Sequence, residues 1–271
     1  MKTIRGKLLI TLCIAFQSCE MLDFVEYHPY DGHISGATGV NAANIARIEK
    51  SCRGKTVVRF AFMGDTQRHY DETEDFVNAV NARNDIDFVI HGGDIADFGL
   101  TREFEWMRDI MNELTVPYVV IIGNHDCLAN GSEVFCKIFG DENFTFTAGA
   151  TKFVCLNTNA IEYNYSHPVP DFSFIENQID TNSSEYSKTV VAMHAPPFCE
   201  QFNNNIAKEF QNLIRNFPSL QFCLNAHEHN LTTKDHFDDG IIYYGTPSID
   251  KRQYILFTLT PNGYDYEITE F

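Results

Sequence analysis

The sequence contains few basic residues for its length. Lys and Arg number 20 of 271 residues, against 37 Asp and Glu, so the formal net charge is -17 at pH 7. A surface of this charge repels nucleic acid and anionic membranes unless metal ions or a local basic patch intervene. We therefore expect no nucleic-acid partner. The length and a hydrophobic share of 44% are sufficient for one large domain with its own core.

Other features are absent as well. The sequence has no Cys-x-x-Cys pair, which argues against a thiolate zinc site or a redox motif. It has no internal repeat, no low-complexity segment and no linker that would separate a second domain. The apolar run at residues 8–16 is too short to span a bilayer as a permanent helix.

The first 19 residues resemble a bacterial export signal. Three basic residues and no acid precede the apolar run, and the following Phe-Gln-Ser-Cys segment resembles a lipobox in which Cys19 is lipidated. An ordinary secretory signal that is cleaved nearby is the alternative. Either signal predicts that the mature protein leaves the cytoplasm. The lipobox predicts a cell-envelope lipoprotein, facing the periplasm or the cell surface, that contacts the membrane through its lipid anchor only.

The rest of the chain divides into an arm and a domain. Residues 20–55 have weak periodicity and many loop-forming residues, apart from a predicted helix around residues 41–50. We interpret this segment as a tether and a packed N-terminal arm. From residue 56 to residue 271, apolar runs of strand length alternate with helical patterns, which predicts a single domain.

The first half of that domain alternates regularly between strands and helices. We predict strands at residues 56–63, 88–90 and 118–122, separated by helices at residues 73–84 and 101–114. This alternation is typical of βαβ units and a parallel sheet, in which ligands bind beyond the carboxyl ends of the strands. Further strands are predicted at residues 144–146, 152–156, 189–193, 221–224, 241–244 and 254–259, with helices at residues 174–179 and 206–214.

Six cysteines follow the export segment. An exported protein permits disulfides, but spacing alone does not choose among the 15 pairings that six cysteines allow. Cys127 and Cys136 flank one loop and are the least remote pair. Cys155 and Cys223 lie in apolar, strand-like runs, which favours buried free thiols.

Five short polar clusters each follow an apolar run. They occur in the order Gly64-Asp65-Thr66-Gln67, Gly92-Gly93-Asp94, Gly123-Asn124-His125-Asp126, Met193-His194 and His227-Glu228-His229. Proteins hold hydrolytic metal ions with carboxylate, amide and imidazole side chains gathered on such loop ends. Each of these residues alone would be read as a cap or as a polar group of the core. The ordered set predicts a two-metal site.

In order and spacing the clusters resemble the signature of the calcineurin-like metallophosphoesterases, over roughly residues 56–260. The Gly-Gly-Asp and Gly-Asn-His-Asp elements match that signature outright. The resemblance implies an α/β fold, a four-layer αββα sandwich of two mixed β-sheets flanked by helices. It also implies two divalent metal ions, chosen from Mn, Fe, Zn and Mg.

The resemblance also implies a role for each ligand. Asp94 would bridge the two ions, because one carboxylate can offer an oxygen atom to each. The remaining ligands would divide between a first ion held by Asp65, Gln67 and His229 and a second ion held by Asn124, His194 and His227.

By the same resemblance, His125 would face the substrate and give a proton to the leaving oxygen. Asp126 would orient His125 and favour its protonated form. Asp97 would orient the loops, and a helix-capping role is the alternative for it. His91 is interpreted as the end of a strand.

Two positions depart from the family signature. Gln67 stands where the family usually has His, and an amide oxygen binds transition metals more weakly than imidazole does. The first ion would then be held loosely, shifted toward harder Mn²⁺ or Mg²⁺, or bound through water, and a role for Gln67 beside the ligands is the alternative. Ala226 stands where Gly is usual, which matters only if that turn needs a positive φ.

The resemblance predicts metal-dependent hydrolysis of a phosphomonoester or phosphodiester outside the cytoplasm. Nothing in the loops chooses among a phosphatase, a phosphodiesterase and a pyrophosphate hydrolase, so the phosphoester substrate is unidentified. Phe198 and Cys199 are candidates for the pocket rim, and Tyr163, Tyr165 and Phe172 are candidates for a substrate wall or for ordinary packing. The alternative function is a non-catalytic surface lipoprotein that binds a ligand through the same fold.

Overall fold

The computed structural model describes residues 28, 31–163, 167–179 and 184–271. The predicted export segment with Cys19, and Tyr165 of the candidate substrate wall, lie outside the described residues. The chain divides into the units Met1–Asp31 and Gly32–Phe271, and every described strand and helix belongs to the second unit. Among the described helices, none has the length and apolar character needed to cross a membrane.

One of the two β-sheets carries the first three polar clusters. Its parallel strands are β1 (Val58–Met63), β2 (Phe88–His91) and β3 (Tyr118–Val120). On the other side of β1 lie β10 (Gln253–Thr260) and β11 (Gly263–Glu270), each antiparallel to its neighbour. The order across the sheet is β11-β10-β1-β2-β3.

The second sheet carries the remaining two clusters. Its six strands are β4 (Phe144–Ala148), β5 (Thr151–Leu156), β6 (Lys188–Met193), β7 (Leu220–Asn225), β8 (Thr232–Lys234) and β9 (Tyr243–Gly245). They lie in the order β4-β5-β6-β7-β9-β8. The four central strands are parallel, and the edge strands β4 and β8 are antiparallel to their neighbours. Both sheets are therefore mixed.

Six α-helices accompany the sheets in the described part of the chain. They are α1 (Val40–Cys52), α2 (Tyr70–Asn81), α3 (Thr101–Met111), α4 (Gly131–Ile138), α5 (Phe172–Gln178) and α6 (Ala207–Ile214).

Side-chain alternation along the strands produces the layers. On β1, Phe60 and Phe62 belong to the core between the two sheets, whereas Ala61 and Met63 belong to the core under the helices. The ring of Phe60 meets the ring of Phe153 from the other sheet edge-on, with centroids 5.3 Å apart. A strand that is buried on both faces reads as a continuous apolar run, which is why the sequence showed no alternation there.

Helices cover the outer face of each sheet. Phe76 of α2 and Met107 of α3 are fully buried in the core on the first sheet. Ile175 of α5 and Phe210 of α6 are fully buried in the core on the second sheet. Three apolar cores therefore separate four layers, and the predicted sandwich of two mixed sheets flanked by helices is confirmed.

Helix α1 of the N-terminal arm packs against the edge of the sandwich. The Asn41 side chain donates its amide N–H to the Val120 carbonyl and accepts the Val120 N–H, both at 2.9 Å. It thus satisfies backbone groups of the edge strand β3, which would otherwise be open to another strand. Ile48 and Cys52, both fully buried, add to the core between the sheets.

Three elements escaped the sequence analysis. Helix α4 follows the Gly-Asn-His-Asp cluster, where the sequence gives a polar start and only two turns of apolar spacing. Strand β8 has three residues, and β11 carries exposed acidic residues between its apolar ones, so neither shows a clear period.

Cys127 and Cys136 are free thiols in the structure, as are the other four described cysteines.

Candidate metal centre

The loops that follow β1 and β2 are tied together by their backbones. Asp65 donates its N–H to the Gly93 carbonyl at 3.0 Å. The N–H groups of Thr66 and Gln67 both reach the carbonyl of Asp94, at 3.0 and 3.1 Å. The first two polar clusters therefore form one rigid edge at the carboxyl end of the parallel strands, where the strand order predicted them.

Four predicted ligands have an unusual backbone conformation. Ten described non-glycine residues adopt a positive φ. Among them are Asp65 at 51°, Asp94 at 56°, His227 at 69° and His229 at 55°. L-residues seldom occupy this region, and such residues gather at functional sites where the surrounding structure holds them in place. Four of the seven predicted ligands are thus among the ten described non-glycine residues with a positive φ.

His194 presents one ring nitrogen to its neighbours at the site. Its Nδ1 donates to the Gly92 carbonyl at 2.9 Å. Its Nε2 lies 3.0 Å from Oδ1 of Asn124 and 3.3 Å from Oδ2 of Asp94. In the neutral ring the proton is on Nδ1, so the Nε2 lone pair faces two oxygen acceptors.

His227 repeats this arrangement with its nitrogens exchanged. Its Nε2 lies 3.0 Å from a carboxylate oxygen of Glu200, and its Nδ1 lies 3.0 Å from Oδ1 of Asn124. A proton on Nε2, held by the carboxylate, leaves the Nδ1 lone pair facing the amide oxygen. Asn124 Oδ1 is therefore approached by two imidazole nitrogens whose partner nitrogens already donate elsewhere.

Lone pairs thus converge from Asp94, Asn124, His194 and His227. Ligand atoms of Asp94, His194 and His227 lie within 4.8 Å of one another. Acceptors that face each other in a buried site repel unless a positive charge lies between them. The donor set of carboxylate, amide oxygen and two imidazoles fits a divalent cation of the kind the family binds.

A second group of ligand atoms lies on the other side of Asp94. Asp65, Asp94 and His229 also offer atoms within 4.8 Å of one another, with His229 Nε2 3.5 Å from Oδ1 of Asp65. Oδ1 of Asp65 and Oε1 of Gln67 are buried and have no hydrogen-bond partner among the residues that the structure describes. Buried oxygens without a donor are rare in folded proteins, and a cation would satisfy them. These residues also fit a metal ion.

The charges of these residues support the same conclusion. Burial, together with the nearby Asp94, raises the pKa of Asp65 to about 8. Burial alone would lower the pKa of His194, but the carboxylates of Asp94 and Asp65 outweigh it and raise that pKa to about 9. Burial opposes ionisation of Asp94 as well, and the adjacent His194 lowers the pKa of Asp94 in spite of it. The carboxylates thus need a positive partner. A protonated His194 supplies it in the protein alone, and a divalent cation would supply it in place of that proton.

The predicted role of Asp126 in orienting His125 is wrong. Asp126 is fully buried, and both of its carboxylate oxygens accept hydrogen bonds from backbone N–H groups at 2.8–3.0 Å. Those donors are Asp94, Ile95, Ala96 and Gly123. Asp126 therefore shapes the loop that carries Asp94, because its two side-chain oxygens fix four backbone N–H groups, three of them in that loop.

Asp97 holds His125 instead. Nδ1 of His125 donates to the backbone carbonyl of Asp97 at 2.7 Å and lies 3.7 Å from its carboxylate. The other carboxylate oxygen of Asp97 lies 3.3 Å from Nε of Arg68. Nε2 of His125 is left for a substrate, and the His125 side chain is one-third exposed. A helix-capping role for Asp97 does not describe these contacts.

Two other positions behave as the sequence suggested. His91 accepts the Gly93 N–H on Nδ1 at 3.1 Å, so its Nε2 donates to the Thr66 hydroxyl at 2.9 Å. Both ring nitrogens are used in hydrogen bonds within the strand end. Ala226 is absent from the described residues with a positive φ, so the missing Gly imposes no strain there.

The rim of the site includes one of its predicted residues and one residue that the sequence analysis missed. Phe198 is 55% exposed with φ at 75° and lies beside the ring of Phe237, with centroids 5.2 Å apart. Tyr163 is buried, with its hydroxyl 3.5 Å from Cys127 Sγ, so it packs rather than forming a wall. Glu200, the partner of His227, lacked any motif that would have indicated it.

A family model for calcineurin-like phosphoesterases matches residues 58–231 of the chain. The chain belongs to this family. The match contains all seven predicted metal ligands and both predicted catalytic residues. Family membership supports a hydrolase that acts on phosphoester bonds and depends on metal ions.

Curated relatives in this phosphoesterase family are phosphodiesterases by name. The chain is 20% identical over 173 residues to a 3',5'-cyclic-nucleotide phosphodiesterase of Nostoc sp., which covers 61% of this chain and 64% of that protein. It is 25% identical over 178 residues to a glycerophosphodiester phosphodiesterase of Enterobacter lignolyticus, which covers 58% of this chain and 62% of that protein. The chain spans less than two thirds of the length of these relatives.

Solved structures share the fold of this phosphoesterase at low sequence identity. A dimetal phosphatase from Danio rerio superposes with a TM-score of 0.61 at 11% identity, over 80% of this chain and 100% of that chain. A purple acid phosphatase from yellow lupin seeds superposes with a TM-score of 0.62 at 13% identity, over 80% and 52% of the two chains. These neighbours confirm the architecture.

Proposed function

We propose that the chain hydrolyses phosphoester bonds with two divalent metal ions, outside the cytoplasm. The observation that carries the proposal is the place of Asp94 in both groups of ligand atoms. Asp94 is 1% exposed and is a member of both groups, as a bridging ligand would be. A binding module for an uncharged ligand would have no use for such a buried carboxylate between two sets of lone pairs.

The residues divide between the two ions as the family resemblance implies. The second ion would be held by Asp94, Asn124, His194 and His227, and the first by Asp65, Gln67, His229 and Asp94. When bound, the ions would neutralise phosphate oxygens and acidify a water molecule for in-line attack. The rigid edge formed by the first two loops would keep the ligands at fixed positions during turnover.

His125 would bind the phosphate and protonate the leaving oxygen. Asp97 fixes the ring through Nδ1, so Nε2 is the nitrogen that faces the substrate. The Asp97 carboxylate, 3.7 Å from Nδ1, lies on the same side of the ring as the carbonyl that holds it. The backbone N–H of His125 also donates to Oδ1 of Asp94 at 2.9 Å, so the proton donor and the proposed bridging carboxylate move as one unit.

We propose a phosphodiester as the preferred substrate. The names of the curated relatives, one acting on cyclic nucleotides and one on glycerophosphodiesters, support this choice. A monoester substrate is the alternative that the test distinguishes.

The decisive experiment measures metal content and turnover of the same preparation. Wild-type protein supplied with Mn²⁺ should hydrolyse bis(p-nitrophenyl) phosphate faster than p-nitrophenyl phosphate, and His125→Ala should lower kcat at unchanged metal content. A faster monoester reaction would identify a phosphatase. Protein that contains metal but hydrolyses neither compound would favour the non-catalytic lipoprotein.

The proposed location has its own test. Mass spectrometry of the mature N-terminus should find an acylated Cys19, as the lipobox predicts. An unmodified N-terminus at a later residue would replace the lipoprotein with an ordinary secreted protein, and an uncleaved Met1 would refute export.

A further inference from the structure

Glu200 lies at the end of the loop that follows His194. Its carboxylate is 3.0 Å from Nε2 of His227, although the Glu200 side chain is 75% exposed. The site thus has a carboxylate that is not one of the seven predicted ligands and that contacts one of them.

We propose that Glu200 is a positioning residue that holds His227 in the tautomer with its Nδ1 lone pair aimed at Asn124 and Asp94. The inference rests on metal binding by His227 in the proposed function. It adds that a surface carboxylate decides whether this imidazole is ready to bind the ion.

The reason is a competition for one proton. A neutral imidazole carries a single N–H, and Asn124 Oδ1 and Glu200 Oε1 are acceptors at opposite ends of the ring, each at 3.0 Å. A proton on Nδ1 would donate to Asn124 and block the lone pair that the ion needs. An ionised carboxylate is a stronger acceptor than an amide oxygen, so Glu200 draws the proton to Nε2.

The loop supports Glu200 in this position despite the exposure of its side chain. Asn204 accepts the Phe198 N–H on its side-chain oxygen and donates its amide to the Cys199 carbonyl, both at 2.7 Å. The same loop starts directly after His194. Its first residue is fixed in place, since the Ala195 N–H donates to the Thr158 hydroxyl at 3.2 Å. The two histidine ligands of the second ion are therefore held by one braced segment.

A neighbouring carboxylate provides a matched control. Glu228 follows His227 directly in the chain, but its two oxygens bind Nζ of Lys234 at 2.8 and 2.9 Å. Replacing either glutamate removes one negative charge near the site. Only Glu200 contacts the imidazole, so a difference between the two variants reports positioning rather than loss of attraction for cations.

The test is the affinity of the full-length protein for Mn²⁺, measured by isothermal titration calorimetry after chelator treatment. Glu200→Ala should weaken the affinity of one ion by about 10–100-fold, as the loss of such an acceptor does at other metal sites. Glu200→Gln keeps an oxygen acceptor and should lose less, and Glu228→Ala should bind as the wild type does. Circular dichroism and the Tm establish that each variant is folded.

A second readout examines the tautomer itself. In the metal-free wild type, at a pH where the ring is neutral, ¹⁵N NMR should show the proton of His227 on Nε2, and Glu200→Ala should show a mixture of the two tautomers. Equal Mn²⁺ affinities for Glu200→Ala and Glu228→Ala, or an unchanged His227 spectrum, would overturn the inference. So would a wild type that binds no metal.

Neither readout depends on turnover. A protein whose metal binding follows this pattern, but which hydrolyses no phosphoester, would leave the role of Glu200 in place and refute the proposed hydrolase. Conversely, phosphoester turnover with no difference between the two glutamate variants would refute the role of Glu200 alone.

Discussion

The two halves of the candidate metal centre differ in the burial of their ligands and in how firmly those ligands are held. In the half around Asn124, each histidine has one nitrogen held by an acceptor, and His194 is fully buried. In the half around Asp65, the side chain of His229 is 51% exposed and Gln67 replaces an imidazole by an amide. The two halves share only Asp94.

This difference predicts two ions of unequal affinity. Ligands that are buried and held in one orientation lose little entropy when an ion binds, whereas an exposed side chain must be ordered at that moment. An amide oxygen also adds less affinity for transition metals than an imidazole nitrogen. We expect a tightly held second ion and an exchangeable first ion, and the following experiments test that order.

Asp94→Asn should remove the difference in affinity between the two ions, because both halves of the metal centre lose their shared ligand. An amide cannot offer an anionic oxygen to each ion, and its N–H₂ group would point a donor into one ligand set. We expect both Mn²⁺ sites to weaken and kcat/KM to fall by more than about 100-fold, the upper range for losing a mere supporting contact. Elemental analysis and turnover measure the two effects. A variant that keeps one full equivalent of metal would show that Asp94 does not bridge.

Gly123→Ala should disturb the well-built half most, because Gly123 directly precedes Asn124 and packs against the shared Asp94. A Cβ atom on Gly123 would collide with the backbone N and the Oδ1 of Asp94, neither of which can move freely. Overpacking of this kind lowers the free energy of unfolding by about 1–3 kcal/mol. Urea denaturation and metal titration should show a less stable protein that has lost its tight ion. Gly32→Ala is the control, because a Cβ atom there meets nothing closer than Nζ of Lys137 at 3.5 Å, and Gly32, like Gly123, has no positive φ. Equal stabilities for the two variants would contradict the steric argument.

The Asp65 half should make stability depend on pH when metal is removed. Burial raises the pKa of Asp65 to about 8, whereas an unfolded Asp releases its proton near pH 4. The folded state therefore binds more protons between about pH 4 and pH 8, so the free energy of unfolding falls as pH rises across that window, by on the order of a few kcal/mol.

Chelated protein should accordingly unfold at less urea at pH 8 than at pH 5, and added Mn²⁺ should remove most of the difference. Asp65→Asn should flatten the pH dependence of the chelated protein. A chelated wild type of equal stability at both pH values would show that the Asp65 carboxylate is not strained by burial.

Replacing Gln67 should produce the smallest change in metal affinity. It should also show most clearly which of the two ions is held more tightly. Gln67→His restores an imidazole and should tighten the weaker Zn²⁺ site by about tenfold, or about 1.4 kcal/mol. Gln67→Ala should loosen that site and leave the tighter one unchanged. Both are measured by calorimetric titration at two Zn²⁺ equivalents. Loss of the tight ion in Gln67→Ala would place Gln67 in the wrong half.

Local pattern predicted most of the strands and the positions of the polar clusters, and the resemblance to the family implied the four layers. Apolar runs marked the strands, and the rule that parallel strands end at one edge brought the loops with Asp65 and Asp94 together. Helix α4 and strand β11 escaped because their apolar periods are short or interrupted by acidic residues.

A local sequence pattern does not reveal contacts between residues that are distant in the chain. Glu200 meets His227 only because the loop after β6 and the turn after β7 fold side by side. The sequence predicted that Asp126 orients its chain neighbour His125. In the structure, four backbone N–H groups donate to Asp126 instead, and His125 donates to the Asp97 carbonyl. The prediction relied on proximity in the chain, but a buried carboxylate binds whichever N–H donors the fold brings to it.

Helix α1 bears on where this protein can be shortened. Asn41 supplies the backbone of β3 with the two hydrogen bonds that a further strand would give, and Ile48 and Cys52 fill the gap between the sheets. A fragment that starts at the first strand would present an open, sticky edge three residues from the Gly-Asn-His-Asp loop. Such a fragment is expected to pair with copies of itself, so the arm acts as the protein's own guard against aggregation.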